Sequence, residues 1–127
     1  MNAVKILLVD DSPVMRKALK IFLDGIDNVQ VVGECSDGNQ VLEKLKQTKV
    51  DLVFSDVMME DVGGFETVGI VKGYNKEIKV ILFSFLAYET VEQRMKECGA
   101  DGFVSKVGVT FEMIIKELEK IPGFKVE

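Results

Sequence analysis

Short apolar runs alternate along the chain with segments of helical periodicity. Five runs are brief and rich in β-branched residues, and several are almost continuously apolar, as in strands covered on both faces of a sheet. These runs cover residues 4–9, 29–32, 50–54, 78–83 and 102–105. Because a helical segment follows each run, the order is β-α repeated five times. This order predicts an α/β fold with a parallel sheet, helices on both faces and right-handed crossovers.

The ends of the predicted helices carry recognisable signals. Ser12 is a suitable N-cap for the first helix, with Pro13 at the first helical position. Asp37 followed by Gln40 resembles a capping box for the second helix. The remaining helices are predicted from apolar residues at positions 65, 68 and 71, at 91, 95 and 98, and at 111, 114, 115, 118 and 121, the last stripe ending at Pro122-Gly123.

Length, charge and composition narrow the class of protein. The 127 residues predict one domain over residues 1–122, followed by a tail or truncated linker over 123–127. A net charge of −5 argues against nucleic-acid binding by this domain, and the absence of histidine excludes Ser-His-Asp catalysis and imidazole-ligated zinc. Two cysteines, Cys35 and Cys98, are expected to be small apolar residues in a reducing compartment. With no signal peptide and no long apolar run, we expect a cytoplasmic protein without membrane contact.

Polar residues follow four of the predicted strands. Asp10 and Asp11 follow the first, Asp56 the third, Ser84 the fourth and Lys106 the fifth. Singly, each is typical of a helix cap or a solvated charge, but open parallel sheets bind ligands beyond the carboxyl ends of their strands. Crowded carboxylates require a proton or a cation, and hard oxygen ligands suit Mg²⁺. The lysine could hold a further anion, such as a phosphoryl group.

These residues resemble a known family. The segment VKILLVDD at residues 4–11, Asp56 within FSDVMMEDVGGF, Ser84 and Lys106 resemble a bacterial response-regulator receiver domain of two-component systems, similar to chemotaxis regulators. The resemblance covers nearly the whole chain. It implies a flavodoxin-like, doubly wound three-layer sandwich with strand order 2-1-3-4-5. It also implies that the domain is not an enzyme, apart from catalysing its own phosphorylation and dephosphorylation.

The resemblance assigns a role to each site residue. Asp56 would accept a phosphoryl group from the phosphohistidine of a sensor histidine kinase or a phosphotransfer protein. Lys106 would pair with one phosphoryl oxygen and Ser84 would hydrogen-bond another, while Phe103, otherwise an ordinary strand aromatic, would turn inward as a switch. Mg²⁺ would be held by Asp10, Asp11, Asp56 and the backbone carbonyl of Met58. The signal would pass through the fourth helix, fifth strand and fifth helix to a downstream protein or a missing output domain; homodimerisation is a further option.

Five positions depart from the family pattern. Proline is replaced by Glu60 four residues after the acceptor and by Val107 after the lysine, where the family has a cis bond. A non-proline cis bond costs roughly 2.5–4 kcal/mol, so we expect a trans peptide before Val107. Phe85 stands where a small residue is usual, which should narrow access to the site. Met58 and Leu86 replace polar groups near an attacking water, which predicts slow loss of phosphate.

Several alternatives remain at this point. A pseudo-receiver would keep the fold as a phosphorylation-independent protein-binding module, with Phe85 and Val107 marking a decayed switch. A hydrolase of the haloacid-dehalogenase kind would need an aspartate where Met58 stands. A flavodoxin is disfavoured because two carboxylates in the first loop would repel a flavin phosphate. Glu60 and Asp61 form either a solvated loop or additional negative charge beside the metal.

Overall fold

The computed structural model describes residues 3–59, 61–107 and 110–120. The described residues form five strands and five helices in alternation, with a 3-10 turn at Gly38–Gln40. The strands are β1 (Val4–Val9), β2 (Val29–Cys35), β3 (Leu52–Asp56), β4 (Lys79–Ser84) and β5 (Gly102–Ser105). The helices are α1 (Pro13–Asp24), α2 (Val41–Gln47), α3 (Gly64–Tyr74), α4 (Tyr88–Cys98) and α5 (Phe111–Leu118).

All strand pairs are parallel, and the order across the sheet is β2-β1-β3-β4-β5. This confirms the doubly wound order. The chain reverses its direction of travel across the sheet after β2, so β1 and β3 are neighbours at the point where ligands bind in such folds. The register aligns the strand ends, with Val9 opposite Ser55 and Ser84 opposite Ser105. The residues that follow these strands therefore begin from one edge of the sheet.

Alternate strand residues supply two separate apolar cores. Leu7 and Val9 of β1 pack on the face covered by α2, α3 and α4. Ile6 and Leu8 pack on the opposite face, against α1 and α5. All four side chains are fully buried. The sheet is thus covered on both faces, which is why its strands are almost continuously apolar in sequence.

The strand boundaries agree with the predicted runs to different degrees. The bounds predicted for β1 and β5 are confirmed. β2 continues three residues beyond its predicted end, because Gly33 and Glu34 interrupt the apolar run while still pairing with β1. β3 begins at Leu52 rather than residue 50. Asp51 lies just before the strand, and its carboxylate accepts a hydrogen bond from the Lys5 backbone N–H of β1 at 2.9 Å.

The helix starts are partly as predicted. Ser12 caps α1 by accepting from the Met15 backbone N–H at 3.2 Å, with Pro13 in the first turn, as expected. The prediction of a capping box at the start of α2 is wrong. Asp37 accepts from the N–H of Asn39, and the Gln40 side chain accepts from that of Ser36, both at 2.8 Å, so the chain forms a 3-10 turn before α2. Glu60, Gly108, the side chain of Phe111, the helix end predicted near Ile121–Gly123 and the tail 123–127 lie outside the described residues.

Neither described cysteine forms a disulfide. Cys35 is 1% exposed, and burial raises the pKa of its thiol to about 11, which keeps it protonated and unreactive. Cys98 is partly buried against the α2–α4 core. Both fit the expectation of small apolar residues. No helix in the described part of the chain has the length and apolar character to cross a bilayer.

Candidate functional site

Four polar side chains lie at the carboxyl edge of the sheet, and three of them, Asp10, Asp56 and Lys106, are in direct contact. Asp10 directly follows β1, Asp56 ends β3, Ser84 ends β4, and Lys106 directly follows β5. Their exposed fractions are 2%, 7%, 0% and 8%, although all four are polar or charged. Burying such groups is unfavourable unless they are paired. The sequence-predicted residues are therefore buried together rather than scattered in solvent.

Lys106 forms a double ion pair at the centre of the site. Its Nζ lies 3.0 Å from Oδ2 of Asp10 and 3.1 Å from Oδ2 of Asp56. The three side chains are 3–8% exposed, so their charges are only weakly screened by water. The ammonium is thus fixed beside the carboxylate predicted to be the acceptor, where it could pair with an oxygen of a group bound to that carboxylate.

Negative charge exceeds positive charge in this cluster. One carboxylate oxygen from each of Asp10, Asp11 and Asp56 lies within 4.8 Å of the others, and Asp11 is exposed at the mouth of the site. Backbone N–H groups orient two of them: Ser12 donates to Oδ1 of Asp10 at 2.9 Å and Met58 to Oδ1 of Asp56 at 3.3 Å. Three carboxylates and one ammonium leave an excess of negative charge, which a divalent cation would neutralise. The donor set is all oxygen, which fits Mg²⁺.

The pKa of Asp56 is raised above its ordinary value. Burial is the largest cause and the neighbouring charge of Asp10 adds to it, while Lys106 and the Met58 N–H act in the opposite direction. The ionised form of Asp56 is therefore less favoured in the folded chain than in a freely solvated aspartate. A cation bound by the three carboxylates would favour that ionised form, since it supplies the positive charge that Lys106 alone does not.

Arg16 supports the loop that carries Asp10. From α1, its Nη1 donates to the Asp10 backbone carbonyl at 2.5 Å and its Nε donates to Glu34 Oε1 of β2 at 3.2 Å. The arginine therefore ties the loop after β1 to the neighbouring strand β2. No motif predicts this contact, because it depends on how α1 packs beside β2.

Asp37 forms hydrogen bonds with the loop that follows β3 and Asp56. Its carboxylate accepts from the backbone N–H of Asp61 at 3.1 Å and from that of Val62 at 3.3 Å. Asn39 adds a side-chain hydrogen bond to Asp61 Oδ2 at 2.6 Å. Asp61 is therefore engaged with the β2–α2 turn, and it is not among the carboxylates that cluster around Asp56. Of the two loop acids, Asp61 takes a structural contact that neither sequence interpretation predicts.

The predicted switch residues occupy neighbouring strands. Ser84 is fully buried, and its Oγ accepts from the Leu86 backbone N–H at 3.0 Å. Phe103 on β5 is partly buried, with its ring centroid 5.7 Å from that of Tyr88 on α4. Its backbone N–H donates to Glu117 Oε1 on α5 at 3.0 Å. The aromatic ring thus packs against α4, and the backbone of the same residue is hydrogen-bonded to α5.

Two departures from the family pattern lie beside Lys106. The described residues contain no cis peptide bond, so the bond before Val107 is trans, as expected. The ring centroid of Phe85 is 5.3 Å from Lys106 Nζ, although the side chain is 65% exposed. Met58 is also exposed, whereas Leu86 packs against the α2–α4 core. The mouth of an acidic site is therefore surrounded by apolar side chains.

Comparison with known proteins defines the class. A sequence profile described as response regulator receiver domain matches residues 6–119. The chain therefore belongs to this family, as the resemblance implied. Similar solved structures confirm the flavodoxin-like receiver fold. They include the putative response regulator NarL receiver of Mycobacterium tuberculosis (27% identity, TM-score 0.86, 98% of this chain and 100% of that one). Vibrio cholerae chemotaxis protein CheY4 is another (28% identity, TM-score 0.83, 94% and 98%).

Among curated relatives, the chain is 34% identical over 116 residues to the protein-glutamate methylesterase/protein-glutamine glutaminase of Clostridium acetobutylicum. The match covers 89% of this chain and 33% of that protein. The chain spans about half or less of the length of such relatives. The pseudo-receiver alternative finds no support at the site, because Asp10, Asp11, Asp56 and Lys106 form one cluster in the described residues.

Proposed function

We propose that this domain accepts a phosphoryl group on Asp56 from the phosphohistidine of a sensor histidine kinase or a phosphotransfer protein, in a reaction that requires Mg²⁺. The observation that carries the proposal is the position of Lys106 Nζ, 3.1 Å from Asp56 Oδ2, within a cluster of three carboxylates. A buried carboxylate flanked by one cation and by ligands for another is suited to phosphoryl transfer, which depends mainly on positioning and charge stabilisation.

The proposed step exchanges one bond at phosphorus for another. A carboxylate oxygen of Asp56 forms a bond to phosphorus as the phosphorus–nitrogen bond of the donor breaks, and the departing imidazole nitrogen takes up a proton. Asp10, Asp11, Asp56 and the backbone carbonyl of Met58 would hold Mg²⁺, which when bound offsets the charge on the transferring group. Lys106 pairs with one phosphoryl oxygen. Because these 127 residues contain no histidine, the donor histidine lies outside them.

The phosphorylated state would be read through the surface of α4, β5 and α5. Ser84 leaves its contact with the Leu86 N–H and hydrogen-bonds a phosphoryl oxygen, and the Phe103 ring moves inward. One to two added negative charges at the site thereby repack a surface that a downstream protein or an output domain recognises. We place this chemistry in the cytoplasm, with no nucleic acid bound by the domain itself, no membrane contact and homodimerisation as one route of output.

The test is phosphorylation by a small donor. The chain is incubated with Mg²⁺ and acetyl phosphate, and its intact mass is compared with that of Asp56→Asn. We expect the wild type to gain one phosphoryl group only when Mg²⁺ is present, and the variant to gain none. A wild type that takes up no phosphoryl group and binds no beryllofluoride would refute the proposal and favour the pseudo-receiver. Gain of phosphate by the variant would assign the acceptor to another residue.

A further inference from the structure

Two phenylalanine rings flank the ammonium group of Lys106. Its Nζ lies 5.3 Å from the ring centroid of Phe83 and 5.3 Å from that of Phe85. Phe83 lies within β4, whereas Phe85 lies in the bend that directly follows the strand, so both rings lie at the carboxyl end of β4 near the lysine. The cation therefore contacts two carboxylates and two aromatic rings, each within the range of a cation–π interaction.

The two rings differ in how they are held. Phe83 is 1% exposed, and its ring centroid is 5.1 Å from that of Phe54 in the apolar core that α1 and α5 cover. Phe85 is 65% exposed and belongs to neither of the apolar clusters formed by the described residues. Core packing therefore accounts for the position of Phe83 but not for that of Phe85. Among the described residues, the ring contact observed for Phe85 is the one with Lys106.

We propose that Phe85 is a positioning residue for Lys106, holding its ammonium toward Asp56 through a cation–π contact; this rests on the proposed phosphoryl transfer. A lysine has a flexible four-carbon stem and no fixed orientation of its own. In the absence of metal, Asp10 and Asp56 hold it together with the two rings. A divalent cation held by the same carboxylates would repel the ammonium and compete for these oxygens, but it would not compete for the aromatic rings. The rings then supply a restraint that the carboxylates supply less well.

A positioning role and a purely steric role for Phe85 predict opposite changes in the rate of phosphorylation by a small donor. If the ring only narrowed access to Asp56, a smaller side chain would speed reaction with a small phosphodonor. If the ring positions Lys106, loss of its aromatic face would slow that reaction. Phe85→Leu removes the aromatic face and keeps an apolar side chain, whereas Phe85→Tyr keeps the ring and adds a hydroxyl at an exposed position. Because residue 85 is mostly exposed, both variants are expected to fold.

The first measurement needs neither metal nor phosphodonor. The exchange of the Lys106 ammonium protons with water is followed by nitrogen-15 NMR at low temperature, with Lys106→Arg used to assign the signal. We expect Phe85→Leu to speed exchange by about two- to five-fold, the size of one partly exposed cation–π contact, and Phe85→Tyr to leave it unchanged. Equal exchange in the leucine variant and the wild type would overturn the proposal, as would an equal rise in both variants.

The second measurement is the rate of phosphorylation by acetyl phosphate with Mg²⁺. We expect Phe85→Leu to slow it by a similar factor and Phe85→Tyr to retain the wild-type rate. A faster leucine variant would show that steric access is the dominant role of the ring and would overturn the proposal. A wild type that takes up no phosphoryl group would refute the proposed function instead, and the exchange measurement would still decide whether Phe85 holds Lys106.

Discussion

Replacing Lys106 by methionine tests the buried charge pair most directly. The substitution keeps an apolar stem of similar length and removes the ammonium that lies 3.0 Å from Asp10 and 3.1 Å from Asp56. Removing one partner of a buried ion pair typically costs 3–5 kcal/mol, because the remaining charge is left without compensation. Here we expect about 3 kcal/mol at neutral pH, the low end, since the carboxylates can take up a proton. In a domain of this size, that loss lowers the melting temperature by roughly 10 °C.

The loss should depend on pH and on metal. The pKa of Asp56 is raised in the folded chain, and Lys106 opposes that rise, so its removal raises the pKa further. A carboxyl with a raised folded pKa favours the native state when protonated, and this contribution is lost as pH rises through that pKa. The loss in free energy of unfolding caused by Lys106→Met should therefore be smaller near pH ~5 than near pH ~8. Added Mg²⁺ should also reduce it, because the cation replaces the missing charge.

The assay is urea unfolding at both pH values, with and without Mg²⁺. Lys106→Arg serves as the control because it retains a positive charge. The double variant Lys106→Met, Asp10→Asn removes one charge of each sign, and its destabilisation should be less than the sum of the two single effects. A Lys106→Met variant within about 0.5 kcal/mol of the wild type at neutral pH, the range of ordinary surface substitutions, would refute the reasoning.

Three further predictions follow from local contacts. A Cβ on Gly64 would overlap the Asp56 carbonyl oxygen, so Gly64→Ala should destabilise the chain by about 1–3 kcal/mol in thermal unfolding, whereas Gly69→Ala, with open space around it, should be neutral or stabilising. Asp37→Asn should cost about 0.5–1 kcal/mol in urea unfolding at neutral pH. Because backbone hydrogen bonds lower the Asp37 pKa, this difference should vanish as pH falls through that lowered pKa; a pH-independent difference would contradict it. The phosphorylated chain should lose phosphate slowly, and Met58→Asn should speed that loss by about two- to ten-fold, the value of one hydrogen bond to the attacking water; an unchanged rate would contradict the role of residue 58.

The parts of the fold that the sequence predicts are those set by local pattern. Short, mainly apolar runs are enough to locate β1 and β5, because a strand covered on both faces of a sheet is rich in apolar residues. The site was predictable for a related reason. Asp10 and Lys106 directly follow strands and Asp56 ends one, and parallel strands bring their carboxyl ends to one edge. The strand order itself required the family resemblance.

The features that local pattern does not reveal depend on side chains that reach across the fold. Asp37 resembles an ordinary turn residue, yet its carboxylate holds backbone groups of Asp61 and Val62. Phe85 is a departure from the family pattern in sequence, and only its position in space shows the contact with Lys106. Such contacts depend on rotamers and loop geometry, which hydrophobic periodicity does not encode.

The hydrogen bond between Glu117 and the Phe103 backbone N–H has a consequence for the sheet as a whole. β5 is an edge strand, and an edge with free N–H groups is a template on which another chain can add a strand. Glu117 is nearly buried, and its Oε1 accepts this N–H at 3.0 Å. An incoming strand would have to displace a charged side chain to pair at that position. The helix that completes the core thereby also limits sheet extension and aggregation along this edge.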